Sequence, residues 1–118
     1  MSTVRVRIKN LRLRTYIGFN PDETEKKQDV IINVLFEYQA PGGIEEDRVE
    51  DAVNYKTITK AIIQFVEGQS FLLLEKLTQD VLERVLENKH IDRATVQIDK
   101  PHALRFADSV SVELSGGN

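Results

Sequence analysis

Four polar side chains have the chemistry of an acid–base or binding site, and each lies near the end of an expected structural element. Lys100 precedes Pro101, and a following proline disfavours helical backbone, so Lys100 is expected in extended backbone at the end of a strand. A lysine that reaches a partly buried cleft can act there as an acid or a base. The alternative for such a lysine is simple exposure to solvent.

The other three candidates are Glu75, Tyr55 and Glu23. Glu75 lies among leucines near the start of an expected helix, where it could be desolvated and bind a planar N–C–N edge through two parallel hydrogen bonds. Tyr55 also begins an expected helix and offers a ring for stacking and a phenol for proton transfer. Each has a structural alternative: Glu75 complements the helix dipole, Tyr55 is an amphipathic residue at a helix start, and Glu23 is a solvated loop carboxylate.

Alternating apolar residues predict the strands that position these side chains. The first strand alternates from Val4 and changes phase before Leu11, which predicts a β-bulge near Lys9 and Asn10. Further strands are expected over residues 28–38, 94–98 (continuing to Lys100-Pro101) and 110–114.

Helical periodicity fills the middle of the chain. Tyr55–Glu67 is expected to be a helix with Asn54 as its N-cap, and Gly68 breaks it. A second helix is expected over residues 71–88 with Ser70 as its cap. Residues 18–27 and 41–51 are expected to be loops. The element order ββααββ predicts an α+β fold in which an antiparallel four-stranded sheet carries two helices on one face.

Composition excludes several classes of protein. The 118 residues are 41% hydrophobic and 30% charged with a net charge of −3, which is typical of one globular domain over residues 1–118. The absence of cysteine excludes disulfides and thiolate chemistry, and with two histidines no metal site is expected within one chain. No apolar stretch is long enough for a membrane span, so a cytoplasmic protein without a membrane partner is expected.

The first strand carries most of its positive charge on one face. Arg5, Arg7 and Lys9 point the same way and could contact phosphates, or they could pair with an acidic surface. Aromatic residues do not alternate with them, as they do in single-stranded nucleic-acid platforms, so no nucleic-acid partner is expected.

Taken in order, these motifs resemble the dihydroneopterin aldolase family. They are Leu13-Arg14-Thr15-Tyr16-Ile17-Gly18, Glu23, Gln28, Asn54-Tyr55, Leu73-Leu74-Glu75-Lys76-Leu77 and Lys100-Pro101. The resemblance covers nearly the whole chain in order and spacing, so it is more specific than any single motif. It implies the tunnelling fold (T-fold) and favours the functional interpretation of Lys100, Glu75 and Tyr55.

Within the family, the chain is most similar to members that invert C2′ of dihydroneopterin triphosphate. The aldolases typically have a Tyr-His-Gly run where this chain has Tyr16-Ile17-Gly18, and a proline-rich segment where it has His102-Ala103-Leu104-Arg105. Because the lysine and tyrosine positions are retained, the folate-pathway aldolase reaction remains an alternative. A non-catalytic pterin- or nucleic-acid-binding scaffold of the same fold is the third.

The resemblance implies how the substrate is bound. Glu75, with backbone groups of Leu74 and Val53, is expected to anchor the 2-amino-4-oxo edge of the pterin. The family motif does not assign the cations for the triphosphate. Arg14 and Arg105 are the candidates, because they lie close in sequence to Tyr16 and Lys100.

The resemblance also implies the chemistry and the assembly. Lys100, through a water, is expected to take the proton from the C2′ hydroxyl of the substrate. Glu23 is expected to lie beside the hydroxyls of the substrate's side chain. Tyr55 from a neighbouring subunit is expected to stack near the pterin and relay protons at C1′. The reaction needs no metal or organic cofactor. The implied assembly is a homo-octamer of two stacked tetramers, which would also cover the apolar residues Ile31 and Leu35 on the second face of the sheet.

Overall fold

The computed structural model describes residues 2–42 and 44–118. Met1 lies outside this part, as does Gly43 in the loop expected over residues 41–51. In chain order the elements are β1 (Ser2–Ile17), α1 (Pro21–Glu25), β2 (Gln28–Ala40), the 3₁₀ helices Ile44–Glu46 and Val49–Asp51, α2 (Tyr55–Glu67), β3 (Ser70–Phe71), α3 (Leu74–Leu86), β4 (Arg93–Pro101) and β5 (Ser109–Gly117). The fold is α+β, as expected. The two segments expected to be loops contain short helices.

The sheet has five strands in the part of the chain described, in the order β3-β1-β2-β4-β5. The expected antiparallel pairs β1–β2, β2–β4 and β4–β5 are present. The four-stranded, wholly antiparallel description was wrong, because β3 pairs in parallel with the end of β1, Tyr16 opposite Ser70 and Ile17 opposite Phe71. The expected cap at Ser70 was wrong for the same reason: α3 begins at Leu74, with Leu73 at its N-cap position.

The predicted β-bulge is confirmed where the apolar phase of β1 changes. The register with β2 shifts between Ile8 and Leu11, and Asn10 adopts a positive φ of 54°. Asparagine tolerates this left-handed backbone better than most residues. The Asn10 N–H donates to the Asn33 side-chain oxygen at 2.9 Å, which satisfies a donor that the shifted ladder leaves unpaired. The bulge keeps Ile8 and Leu13 on the same face of the sheet.

Helices α2 and α3 cover that face and form the core with it. The expected bounds of α2 are confirmed, and the Asn54 side chain accepts a hydrogen bond from the Lys56 N–H at 2.9 Å. The fully buried Thr15 hydroxyl lies within hydrogen-bond distance of the carbonyls of Val66 (2.8 Å) and Gln69 (3.1 Å), which fastens the end of α2 to the end of β1. Fully buried side chains of the core include Phe36, Ile62, Leu77, Val81 and Ile98.

The second face of the sheet carries no helix of the described chain. Ile31 and Leu35 are half-buried on it. Arg5 pairs with Glu37 at 2.7 Å, so an acidic partner, the alternative to phosphate, is present for this residue. Among the described residues, no helix is both long enough and apolar enough to cross a membrane.

Candidate active site

The candidate site residues lie at two opposite ends of the sheet. The antiparallel β1–β2 pair places Thr15 opposite Gln28 at one end and Ser2 opposite Ala40 at the other. We call the first the lysine end, defined by Glu23, Leu74, Glu75 and Lys100. We call the second the tyrosine end, defined by Val53 and Tyr55.

An ion pair joins Glu23 and Lys100 at the lysine end. Lys100 is the penultimate residue of β4, in extended backbone as predicted, and its Nζ contacts Oε2 of Glu23. The two side chains are only 12% and 20% exposed. The hydrogen bond from Lys100 is the largest cause that lowers the pKa of Glu23, so this carboxylate is ionised at neutral pH. The pair therefore joins a proton donor to an acceptor in a partly desolvated position.

Gly18 lets the Glu23 carboxylate approach the end of β1. Its φ of +127° is rarely adopted by other residues, and its N–H donates to the carbonyl of Phe71 at 2.9 Å. A Cβ at this position would lie 2.3 Å from Cδ of Glu23. Any larger residue at position 18 would therefore displace the carboxylate.

The start of α3 lies at the same end because β3, just before it, pairs with Tyr16 and Ile17. Glu75 is in the first turn, as expected. It is exposed, so the predicted desolvation among leucines is not found in the single chain. Leu74 is buried, whereas Leu72 and Leu73 are 65% and 49% exposed. The nearby cleft of about 360 Å³ is lined by Tyr16, Gly18, Thr24, Glu25, Ser70, Phe71 and Leu72.

The tyrosine end lies at the start of α2. Tyr55 follows the Asn54 cap and is 54% exposed, whereas Val53 is buried. Both line a separate cleft of about 530 Å³ beside the 3₁₀ turn Val49–Asp51. The far end of α2 is fastened at Val66, and the rise of an α-helix puts roughly 17 Å between Tyr55 and Val66 along the axis. One chain therefore keeps Tyr55 away from Lys100.

The two arginine candidates for phosphate binding are exposed near the lysine end. Arg14 donates to the carbonyl of Lys27 at 3.0 Å and lies 3.4 Å from Asp29. The guanidinium of Arg105, in the loop between β4 and β5, stacks on the ring of Phe106. Within residues 2–42 and 44–118, no cluster of three or more acidic or histidine side chains has the arrangement of a metal site.

Gln28 and Gly18 also lie at this end of the sheet, but the sequence assigned neither of them a role of its own. Gln28 was recognised only as part of a family motif, yet its Nε2 donates to the carbonyl of Ile17 at 2.7 Å. Gly18 was recognised in the same way. A glycine directly before Phe19-Asn20-Pro21 was a signal for an unusual backbone, but nothing in the sequence indicated that Glu23 packs on it.

Comparison with known sequences identifies the family to which the chain belongs. The family profile described as "FolB: Dihydroneopterin aldolase" matches residues 6–115. The chain belongs to the dihydroneopterin aldolase family. It is 53% identical over 112 residues to the dihydroneopterin triphosphate 2′-epimerase of Pseudomonas aeruginosa, covering 95% of this chain and 91% of that protein. It is 54% identical over 110 residues to the enzyme of the same name from Escherichia coli, covering 93% and 92%.

Family members named as aldolases are more distant in sequence but share the fold. The dihydroneopterin aldolase of Haemophilus influenzae is 27% identical over 113 residues, with 96% of each chain covered. The crystal structure of the Escherichia coli dihydroneopterin aldolase in complex with neopterin superimposes with a TM-score of 0.90 at 25% identity, covering 97% of this chain and 99% of that one. The resemblance expected from the motifs is confirmed.

Proposed function

We propose that this protein is a dihydroneopterin triphosphate 2′-epimerase, an isomerase that converts its substrate to dihydromonapterin triphosphate. The observation that carries the proposal is the contact between Lys100 and the ionised Glu23 at the end of the sheet where α3 begins. Family membership and two relatives named as this epimerase, at 53–54% identity, support the choice of substrate. The location is cytoplasmic, as expected for an enzyme of small-molecule metabolism.

The pterin binds at the start of α3. The exposed carboxylate of Glu75 accepts two parallel hydrogen bonds from the N–C–N edge of the ring, and backbone groups of Leu74 complete this contact. The exposed side chains of Leu72 and Leu73 offer apolar surface beside it. The solved relative named as a neopterin complex supports a pterin-type ligand for this fold.

The reaction breaks and remakes the C1′–C2′ bond. The neutral form of Lys100, which has first released a proton to solvent, takes the proton from the C2′ hydroxyl through a water, so that C2′ becomes an aldehyde carbon. The bonding electrons move into the dihydropterin ring, which is the electron sink, and no metal or organic cofactor is required. Glu23 keeps Lys100 in place and lies by the substrate hydroxyls, while Tyr55 relays protons at C1′.

Inversion requires that the aldehyde fragment stays bound. The fragment presents its other face, C1′ attacks it, and Lys100 returns the proton to the C2′ oxygen. The C1′–C2′ bond that is broken is the bond that is remade, and the proton that leaves the C2′ oxygen returns to it. The product therefore differs from the substrate only in the face of C2′ that C1′ has attacked. Release of the fragment would instead give cleavage, the aldolase outcome.

The complete site lies between subunits. Tyr55 and Val53 are separated from Lys100 within one chain, so the copy that supplies them is a neighbour. Two open sheet edges support assembly: β1 has a partner beyond β2 only at Tyr16 and Ile17, and β5 pairs only with β4 in the described chain. The assembly we propose is the homo-octamer of two stacked tetramers.

Unburied apolar side chains also support assembly. Phe106, Leu72 and Tyr55 are 95%, 65% and 54% exposed, and Ile31 and Leu35 lie on the uncovered face of the sheet. Scattered exposed apolar residues are common, but exposed aromatic side chains are enriched at interfaces. The octamer would cover these groups.

The triphosphate is held by Arg14 and Arg105. Both guanidinium groups are exposed, and Arg14 lies in a water-screened pair with Asp29 that a phosphate could replace. Substitution of either arginine by alanine is expected to raise the KM for the triphosphate and to leave the unphosphorylated substrate unaffected. Arg93→Ala, at the opposite end of β4, is the matched control.

Aldolase cleavage is the second candidate function. The Glu23–Lys100 pair favours it as well, because cleavage begins with the same proton removal and the same bond breakage. Ile17, where the aldolases carry histidine, disfavours cleavage as the main reaction.

One experiment separates the candidates. The purified protein is incubated with dihydroneopterin triphosphate and, separately, with dihydroneopterin, and chromatography resolves the C2′ epimers and the cleaved pterin. We expect inversion of the triphosphate, abolished in Lys100→Ala and retained in the surface control Lys60→Ala. Dominant cleavage would show that the protein is an aldolase. Unchanged substrate would contradict both enzyme functions and favour a non-catalytic binding scaffold.

A further inference from the structure

Two cations on the second face of β1 have no acidic partner. The sequence placed Arg5, Arg7 and Lys9 on one face, where they could contact phosphates or pair with acids. Arg5 pairs with Glu37 at 2.7 Å. The ion pairs within 4 Å that residues 2–42 and 44–118 form do not include Arg7 or Lys9. These two side chains therefore keep the phosphate-binding role that the sequence left open.

Arg7 and Lys9 line a cleft of about 340 Å³, which we call the second-face cleft. It crosses the four antiparallel strands in the middle of the sheet, on the face that carries no helix of the described chain. Glu113 of β5 lines the opposite side, and Leu35 of β2 contributes an apolar side chain between them. Lys9 is six residues before Thr15, which puts the cleft roughly 20 Å along the strand from the lysine end. The cleft is therefore separate from the candidate active site.

The β-bulge of β1 shapes this cleft. Neighbouring side chains of a regular strand point to opposite faces, yet Lys9 and Asn10 both line the cleft. The register shift between Ile8 and Leu11 and the positive φ of Asn10 make this possible. The Asn33 side chain accepts from the Asn10 N–H at 2.9 Å and donates to the Asn10 side-chain oxygen at 3.3 Å, which fixes the bulge. Bulges often re-aim side chains beside functional sites, and this one brings an additional polar residue into the cleft.

The charge of the second-face cleft is opposite to that of the whole chain. Arg7 and Lys9 supply two positive charges against the single negative charge of Glu113, whereas the chain carries −3. The other polar side chains of the lining are bonded within the sheet: the hydroxyls of Thr95 and Ser115 lie 2.7 Å apart, and Nε2 of Gln97 donates to Asp99 at 3.4 Å. The cleft therefore favours an anionic ligand, which Arg7 and Lys9 would contact.

The spacing of the two cations suits an anion with more than one charged group. Arg7 and Lys9 are two residues apart on an extended strand, so their Cα atoms are roughly 7 Å apart. A guanidinium binds phosphate through two parallel hydrogen bonds, and an ammonium binds it as a point charge. Two such long side chains can contact neighbouring phosphates of one ligand, while Leu35 offers apolar surface beside them.

We propose that the second-face cleft binds the polyphosphate group of a small molecule, with Arg7 and Lys9 as the residues that contact it. This binding does not depend on the proposed epimerase function. The polyphosphate group could belong to dihydroneopterin triphosphate or to a nucleoside triphosphate. The structural alternative is that Arg7 and Lys9 are solvated cations that bind no specific ligand.

Titration with inorganic tripolyphosphate tests the proposal. Calorimetry gives the affinity at about 0.15 M salt, where weak attraction to a charged surface is screened. Methyl NMR of Leu35 reports binding in the cleft itself, with Leu35→Val to assign its signals. Arg7→Gln and Lys9→Gln each remove one cation of the cleft. Arg12→Gln is the matched control, because Arg12 lies on the same strand and face, opposite Ile31, but does not line the cleft.

We expect saturable binding that shifts the Leu35 methyl signals. Arg7→Gln and Lys9→Gln should each weaken it about tenfold, because each loses a hydrogen bond between charged groups. Glu113→Gln should strengthen it about threefold, because a negative charge leaves the cleft. Arg12→Gln should leave the titration of the Leu35 signals unchanged. So should Arg14→Ala, which separates this site from phosphate binding at the lysine end.

Dihydroneopterin triphosphate and ATP are then titrated in the same way. Whichever shifts the Leu35 signals at the lower concentration identifies the source of the polyphosphate group, and either result supports the proposal.

Two results would overturn it. Unchanged Leu35 signals would show that the cleft binds no polyphosphate, whether it stays solvated or a neighbouring copy fills it. Equal weakening by Arg12→Gln and Arg7→Gln would show an adventitious ion only, attracted by the general charge of β1. The Tm of each variant confirms that it is folded. A protein without epimerase activity would still give a decisive titration, so failure of the proposed function is distinguishable from failure of this inference.

Discussion

The lysine end and the tyrosine end are built in different ways. At the lysine end, a charged pair is largely shielded from water, and hydrogen bonds and a glycine surface hold it around a helix that buries nothing. At the tyrosine end, Asn54 caps a helix that is anchored by the buried Ile58, Ile62 and Val66, and it presents a half-exposed ring. The first end holds the groups that we propose exchange protons, and the second presents a surface.

This difference indicates which end needs a partner. The lysine end already pairs its donor with its acceptor, so the two groups that we propose react lie within one chain. Tyr55 is 54% exposed, and a tyrosine that presents an apolar ring with a polar tip is typical of interfaces. The comparison therefore predicts that changes at the lysine end act on chemistry within one subunit, and changes at the tyrosine end act on the neighbour's site.

The largest expected effect is that of Lys100→Ala. Removing the group that moves the proton should lower kcat for inversion by about 10³-fold or more, because a positioned acid or base contributes roughly 10²–10⁴-fold. Kinetics with dihydroneopterin triphosphate measure it. Retention of more than a tenth of the activity would show that the ion pair is structural.

Gly18→Ala should have the next largest effect. The new Cβ meets the Glu23 carboxyl at 2.3 Å, and the φ of +127° is strained for alanine. We expect about 10²-fold lower kcat, since a displacement of about 1 Å has effects of this size, and roughly 1–3 kcal/mol lower stability. Gly68→Ala is the control, because Gly68 ends α2 with a negative φ of −93°. Equal activity in both variants would contradict the account.

Tyr55→Phe tests the other end. The change removes only a hydroxyl from a ring that is 54% exposed, so the free energy of unfolding should change by less than about 0.5 kcal/mol. Activity should fall roughly tenfold, since proton relay is lost while stacking is kept. Denaturation and steady-state kinetics measure the two quantities. A loss of stability that matches the loss of activity would contradict a role in the site.

The smallest effect is on stability, in Glu23→Gln. Because the folded pKa of Glu23 lies below its unfolded value, the pair stabilises the fold above about pH 4.3, and this contribution is lost as the pH falls through the folded pKa. We expect Glu23→Gln to cost at most about 1 kcal/mol at neutral pH and progressively less as the pH falls through the folded pKa. Urea unfolding over this pH range measures the cost, with the exposed Glu25→Gln as control. A cost independent of pH would show that charge is not the cause.

Local sequence patterns predicted the long elements well. The bounds of α2, its Asn54 cap and the bulge before Leu11 all follow from periodicity and side-chain chemistry over a few residues. The strand β3 did not follow, because two residues show no alternation and their partner lies at the end of β1. Nothing in the sequence indicated the role of Asn118, which donates to three carbonyls near the end of α3, those of Leu86, Asn88 and Ile91.

The sequence predicted which residues belong to the candidate site, but not how they are arranged. Residue types and the family resemblance indicated Glu23, Glu75 and Lys100, but Glu23 and Lys100 are 77 residues apart, and their contact depends on the register of three strands. The roles of Gly18 and Gln28 were not predictable, because Gly18 depends on where the Glu23 side chain packs, and Gln28 depends on its contact with the Ile17 carbonyl. Separation of the two ends was likewise visible only once the direction of α2 along β1 was known.

The central claim is that the two ends act in one site contributed by two copies, and mixing two inactive variants tests it most directly. Lys100→Ala and Tyr55→Ala are co-expressed with different tags, and oligomers that contain both are isolated by tandem purification. In a random mixture about a quarter of the sites combine an intact lysine end with an intact tyrosine end from a neighbour. The account predicts epimerase activity restored to about that fraction of the wild-type value, whereas mixed oligomers as inactive as each parent would contradict it.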